Sequence, residues 1–363
     1  MKRGLFIWLC LAALFSETAS QSQPTSYYID AKSLYGFIIP QHDFIDYLIQ
    51  KHVTAWEMDI SKTGIQNQYW DSIFHFPRIG IGYHYLDFGN KEMLGTANSL
   101  FAFCNMPFIH TSNDRFFLSW QIGLGIAYLN KVFDMNTNYD DLAISAHWNA
   151  HINLGINSTF KITDRIELTL GIRGMHYSNG KLKSPNYGLN VMTANVGLSY
   201  RFTGKQKKIN PTVPAPLKKY NTEIIYSAGM TTISAYEKGN FFISSLCADL
   251  IKPVTNKHSF GAGFDVFYNH SLPEELMIGG ANHVTSIDNF YSGIHLMYEI
   301  TYYRIIMTIQ IGSYLYSRYY GLFTPYDRVG LKYKITPHLI GNLTLKTHWA
   351  VAEYIEWGIG YKW

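Results

Sequence analysis

Residues 166–180 read IELTLGIRGMHYSNG. Successive side chains of a strand point to opposite faces. One face then carries Ile166, Leu168, Leu170, Ile172 and Gly174, followed by His176 and Ser178. The other carries Glu167, Thr169, Gly171, Arg173 and Tyr177. In a soluble β protein the apolar stripe faces a core. In a membrane barrel it faces lipid, and the His/Ser pair that closes it meets lipid as well.

Composition chooses between the two. Aromatic residues make up 16% of the chain, with 28 tyrosines, while charged residues reach only 15%. Soluble domains carry about 25% charged residues, yet nowhere after the first twenty positions is there the run of about 18 apolar residues that a transmembrane helix needs. A transmembrane β-barrel reconciles these numbers, because its strands alternate apolar-out and polar-in between aromatic girdles. The net charge of +4 is small and unclustered, which argues against nucleic acid as a partner.

The same alternation recurs along the chain. Trp148, Ala150, Ile152, Leu154 and Ile156 share a face, with Asn149, His151, Asn153 and Asn157 opposite. Residues 117–128 (FLSWQIGLGIAY) and 193–202 (TANVGLSYRF) behave alike. Such runs number eight before about residue 203 and seven or eight after about 221. Bacterial barrels favour even totals. The expected fold is therefore an all-β antiparallel transmembrane barrel, read first as one barrel of 14–16 strands, with two tandem eight-strand barrels as the alternative.

Four segments follow. Residues 1–20 carry Lys2 and Arg3, an apolar run and then small residues, the order of a signal peptide. Residues 21–202 form the half with the His/Ser pair. Residues 203–220 (TGKQKKINPTVPAPLKKY) are basic, rich in proline and aperiodic, which predicts a linker. Residues 221–363 form a second barrel half. It ends on the alternating face Ile355, Trp357, Ile359, Tyr361 and Trp363, similar to the terminal signal that the outer-membrane assembly machinery reads. Residues 160–166 (FKITDRI) and 333–339 (YKITPHL) lead into comparable strands. A decayed duplication and the ordinary likeness of short hairpins both account for this. In the second copy His348 falls on the luminal side, so only the first half holds a His/Ser pair.

The short turn at 163–165 belongs on the periplasmic side, because periplasmic turns are short and outer loops long. Thirteen residues separate Arg165 from Ser178, a climb of roughly 30 Å along a tilted strand. That places the pair at the outer-leaflet boundary. The irregular loop 179–190 (NGKLKSPNYGLN) follows, and by parity Asn190 opens the next strand on the lipid face, beside His176.

Ester hydrolysis by a serine needs a base within reach, a group that orients the base, and donors for the oxyanion. His176 and Ser178 stand about 7 Å apart at Cα. Asn190 can orient the imidazole through its amide oxygen, and Asn179 and Asn186 can donate to an oxyanion. On alternation alone, His-x-Ser is a weak pattern, and a solvated pair in an aromatic girdle explains it as well. No metal-binding spacing such as HExxH or paired cysteines occurs, so neither metal nor cofactor is expected.

The run from His176 to Gly180, with Ser184, Pro185, Asn186, Tyr187 and Gly188 after it and a closing strand, resembles the lipid A 3-O-deacylases of the PagL family. The likeness is specific over about residues 161–202 and looser towards the start. Residues 36–40 (GFIIP) and 93–95 (MLG) are similar to longer, two-part acyloxyacyl hydrolases. The resemblance implies an outer-membrane hydrolase that removes an ester-linked acyl chain from the lipid A of lipopolysaccharide. It implies Ser178 as nucleophile, His176 as general base and Asn186 near the oxyanion. Where the family has an orienting glutamate, this chain has Asn190. An amide can hold the tautomer without supplying charge, and Glu353 has the outward parity to substitute if barrel closure brings it near. A non-enzymatic channel or structural barrel is the competing expectation, since a sixteen-strand barrel has room for an aqueous lumen.

Overall fold

The computed structural model describes residues 25–65, 68–111, 115–203, 219–233, 239–349 and 351–363. The signal-peptide segment and most of the linker fall outside them. The described residues form sixteen strands. The first eight are β1 (Tyr27–Ile39), β2 (Val53–Thr63), β3 (Arg78–Asp87), β4 (Thr96–His110), β5 (Phe116–Leu129), β6 (Trp148–Lys161), β7 (Ile166–Ser178) and β8 (Leu189–Arg201). The second eight are β9 (Asn221–Thr231), β10 (Phe241–Pro253), β11 (His258–Asn269), β12 (Phe290–Tyr302), β13 (Ile305–Tyr316), β14 (Pro325–Lys334), β15 (Leu339–His348) and β16 (Val351–Lys362).

These strands close as two antiparallel barrels of eight, not as one barrel of 14–16. β1 pairs with β8 from Tyr28↔Arg201 to Ile39↔Asn190, and β9 pairs with β16 from Ala228↔Trp357 to Glu223↔Lys362. Each closure satisfies both edges of its own sheet, which leaves β8 nothing to offer β9. Alternation fixes which face of a strand meets lipid and is silent on which strand closes the ring, so the tandem alternative is the one realised.

Eight strands enclose a lumen just wide enough for side chains to fill, and both lumens are filled. In the first barrel Lys32 Nζ donates to Glu57 Oε1 at 2.7 Å and also to Asp59, and Arg173 pairs with Glu57. In the second, Lys332 Nζ meets Glu223 at 2.6 Å and Glu299 at 2.9 Å, while Arg328 lies 3.0 Å from both Asp265 and Glu356. Buried charges persist only when paired in this way. The lipid faces are apolar: Leu170, Ile172, Val196 and Leu198 stand exposed, as do Trp357, Ile359 and Tyr361. Luminal His151, Glu167 and Arg173 are therefore parts of a packed interior, which leaves the pore reading without its wide lumen.

Short turns such as 162–165, 254–257 and 335–338 mark the periplasmic end. Segment 64–77 is the long exception there and contains the short helix α1 (Gln68–Ile73). Opposite lie the outer loops 40–52, 88–95, 130–147 and 179–188, together with those of the second barrel. No helix among the described residues is long and apolar enough to cross a membrane; the strands do the crossing.

Candidate active site

β7 and β8 pair from Ile166↔Tyr200 up to His176↔Asn190 and Tyr177↔Leu189. An unbroken antiparallel register carries side-chain parity the full height of the wall, so the polar pair forms where the apolar stripe ends. His176 Nδ1 lies 2.6 Å from Asn190 Oδ1. With the amide oxygen as acceptor, Nδ1 carries the proton and Nε2 is left as the bare, basic nitrogen. Ala150 of β6 stands opposite Ser178 of β7 in the ladder. Ser178 is buried at 4% exposure and His176 is half-buried, so the imidazole is the member of the pair that meets the boundary.

The loop 179–188 returns beside His176 at Gly188. Gly180, Lys181 and Gly188 all take positive φ, and at Gly188 (φ 81°) a Cβ would lie 2.8 Å from His176 Cε1. Glycine there lets the chain turn and lets the backbone pass against the imidazole. The two loop asparagines have different surroundings. Asn179 Nδ2 donates to Lys183 O at 2.9 Å and to Ser145 Oγ at 3.2 Å, and its Oδ1 accepts from Lys183 N at 3.3 Å. Its carboxamide therefore holds the loop and is not free for an oxyanion. Asn186 Oδ1 accepts the Asn179 N–H at 3.0 Å, while its Nδ2 is buried without a hydrogen-bond partner. Of the two sequence candidates, Asn186 alone retains a donor for a substrate oxygen.

Glu353 does not join this site. The β15–β16 ladder passes from Lys346↔Tyr354 to Thr347↔Ala352, which leaves Glu353 as the extra residue of a bulge. A bulge re-aims the side chain it carries. Glu353 is turned into the second barrel's lumen, where Lys346 pairs with it and Tyr320 Oη donates to it at 2.7 Å. The side chain that His176 Nδ1 meets is Asn190.

A second outer loop braces the first. Ser145 Oγ donates to Lys183 O at 2.7 Å, and Gly188 N donates to Ala143 O at 2.9 Å. Neither contact was legible in the sequence, because Ser145 lies in an aperiodic loop and only the outer ends of β6 and β7 bring it close. Within this brace Asp141 is buried and accepts from Ala143 N at 3.2 Å through Oδ1, while Oδ2 has no partner. Burial pushes its carboxyl up from 3.8 to about 7. A carboxyl raised on folding binds its proton more tightly in the closed loop, so the stabilisation is present at acid pH and is lost as pH rises through about 7. Hydrogen exchange of loop 130–147, corrected for intrinsic rates, should accelerate between about pH 5 and pH 8, and Asp141→Asn should flatten that dependence. A parent loop whose protection is flat over this range would refute it.

The closed barrels, lipid-facing walls and polar site at one rim define an outer-membrane β-barrel of a Gram-negative envelope. Residues 62–199 match the family model "Lipid A 3-O-deacylase (PagL)", and residues 220–363 match "Acyloxyacyl hydrolase, C-terminal domain". Together the two matches span well over half the chain, and the chain belongs to the PagL family of outer-membrane hydrolases. His176, Ser178, Asn179, Asn186 and Asn190 all lie within the first match. Among solved structures, Neisserial surface protein A is 14% identical, with 49% of this chain and 99% of that one covered and a TM-score of 0.32. The outer membrane enzyme PagL is 17% identical, with 46% and 97% covered and a TM-score of 0.30. A mutant porin of Rh. blastica is 9% identical, with 93% and 100% covered and a TM-score of 0.19. No curated protein matches the chain.

Proposed function

We propose that this chain is a serine esterase that removes an ester-linked acyl chain from lipid A in the outer leaflet. The observation that supports it most is the 2.6 Å contact of His176 Nδ1 with Asn190 Oδ1, which leaves Nε2 basic on the strand that carries Ser178. In this reading His176 Nε2 takes the Ser178 proton as Oγ attacks the ester carbonyl. Asn186 Nδ2 donates to the oxyanion of the tetrahedral intermediate. His176 then returns the proton to the leaving alkoxide, and an acyl-enzyme remains. Water, deprotonated by the same imidazole, attacks the acyl-enzyme and releases a fatty acid.

The test is mass spectrometry of lipid A after lipopolysaccharide is incubated with the purified full chain in detergent. Loss of one ester-linked acyl chain is expected. Lipid A that keeps its full acyl set, or deacylation of phospholipid alone, would overturn the reading.

The division of labour between the asparagines has its own test. Asn186→Asp keeps an oxygen for the Asn179 N–H and removes the donor. It should lower kcat by about 10²- to 10³-fold, the scale for one oxyanion donor. An Asn186→Asp protein with parental kcat would remove Asn186 from the oxyanion site.

A further inference from the structure

The second barrel touches the first at the loop that follows Ser178. Thr232, just beyond β9, donates to the Lys181 carbonyl twice, from its backbone N–H and from Oγ1, each at 3.1 Å. Its Oγ1 also lies 2.9 Å from Ser184 Oγ. Ile355 of β16 packs on Gly180, where a Cβ would fall 2.5 Å from Ile355 Cδ1. Lys181 and Ser184 flank the turn between Asn179 and Asn186, so these contacts hold the middle of the loop whose ends carry the site.

The support continues into the second barrel's interior. Thr231 Oγ1 donates to the Glu353 carbonyl at 3.1 Å, and the Glu353 carboxylate is held by Lys346 and Tyr320. The luminal charge is thus joined through the bulge to the strand end that meets the loop. A second junction between the barrels lies at the periplasmic end. Tyr302 Oη, buried at the end of β12, donates to Asp71 of α1 at 2.7 Å, and its ring meets Phe74 edge-on at 5.1 Å. Lys257 Nζ lies 4.8 Å from the centre of the Phe74 ring.

We infer that the second barrel is a rigid brace for the loop that follows Ser178, with Thr232 as the positioning residue that sets Asn186 and Gly188 beside Ser178 and His176. The inference rests on the proposed esterase reading for its effect on rate. A loop free of this brace still binds lipid through the apolar wall and loses the geometry that stabilises the oxyanion, so the loss falls on kcat and not on KM.

The experiment uses the full chain with Thr232→Val combined with Ser184→Ala, which removes the hydroxyl contacts and keeps the Thr232 N–H. Thr232→Ser alone keeps a hydroxyl and serves as the conservative variant. Heat-modifiable mobility on gels checks that both fold. The double variant should lose about tenfold in kcat, the scale of two neutral hydrogen bonds, with KM within about twofold of the parent. Thr232→Ser should retain parental kcat. Hydrogen exchange of residues 179–188 should be about tenfold faster in the double variant and unchanged in Thr232→Ser. Unchanged exchange in the double variant overturns the brace whatever the activity, as does an active parent whose kcat the double variant shares. A parent that releases no fatty acid overturns the esterase reading instead, and the exchange measurement still decides the brace.

Discussion

Ser178→Ala should abolish deacylation, with kcat falling by roughly 10⁶-fold, the cost of removing the nucleophile from a working triad. His176→Ala should cost nearly as much, and the double variant little more than either alone, because base and nucleophile act as one unit. The small residual rate in all three should come from what remains, the Asn186 donor and lipid binding. Fatty-acid release followed by mass spectrometry separates these cases. Additive losses in the double variant would mean that the two residues act independently. A Ser178→Ala protein that strips acyl chains at the parental rate would put the attacking oxygen elsewhere. The barrel itself should be indifferent to the change, since Ser178 sits at the end of β7 and the ladder with β6 needs only its backbone.

Most of this arrangement was readable from alternation. A period of two assigns each strand residue to lipid or lumen, and an uninterrupted register preserves that assignment from the Ile166 turn to His176. This is why the His176–Asn190 pairing follows from parity and is met by the structure at a definite register. What alternation cannot supply is closure. β1 pairs as readily with β8 as any later strand would, and nothing local in either marks the choice. Parity also fails wherever a residue is inserted. Glu353 shares sequence parity with Ile355 and Trp357, yet as the extra residue of the β16 bulge it is turned inward. The loop lies beyond periodicity altogether. Asn179 and Asn186 are the same residue type in one aperiodic stretch, and only their partners distinguish a loop anchor from a free donor.

An amide at position 190 in contact with His176 Nδ1 predicts effects in both directions. Asn190→Leu removes the acceptor at similar volume. His176 would then lose both its orientation and the tautomer that keeps Nε2 bare, and kcat should fall by about 10³- to 10⁴-fold, as it does when a triad's orienting group fails to hold the tautomer. Asn190→Asp changes one atom and leaves an oxygen where Oδ1 now accepts from Nδ1. The carboxylate can stabilise the imidazolium that forms as Ser178 attacks, and a charged hydrogen bond is worth roughly twice a neutral one. The Asp variant should therefore exceed the parent in kcat by about tenfold. Burst kinetics with a chromogenic acyl ester would show whether the gain lies in acylation, where the imidazolium first forms. Equal rates in parent, Leu and Asp proteins would mean that the 2.6 Å contact orients nothing that chemistry uses. A slower Asp protein beside a much slower Leu protein would mean instead that the amide is preferred at this lipid-facing rim, because an ionised carboxylate there costs more in desolvation than it returns to the imidazolium.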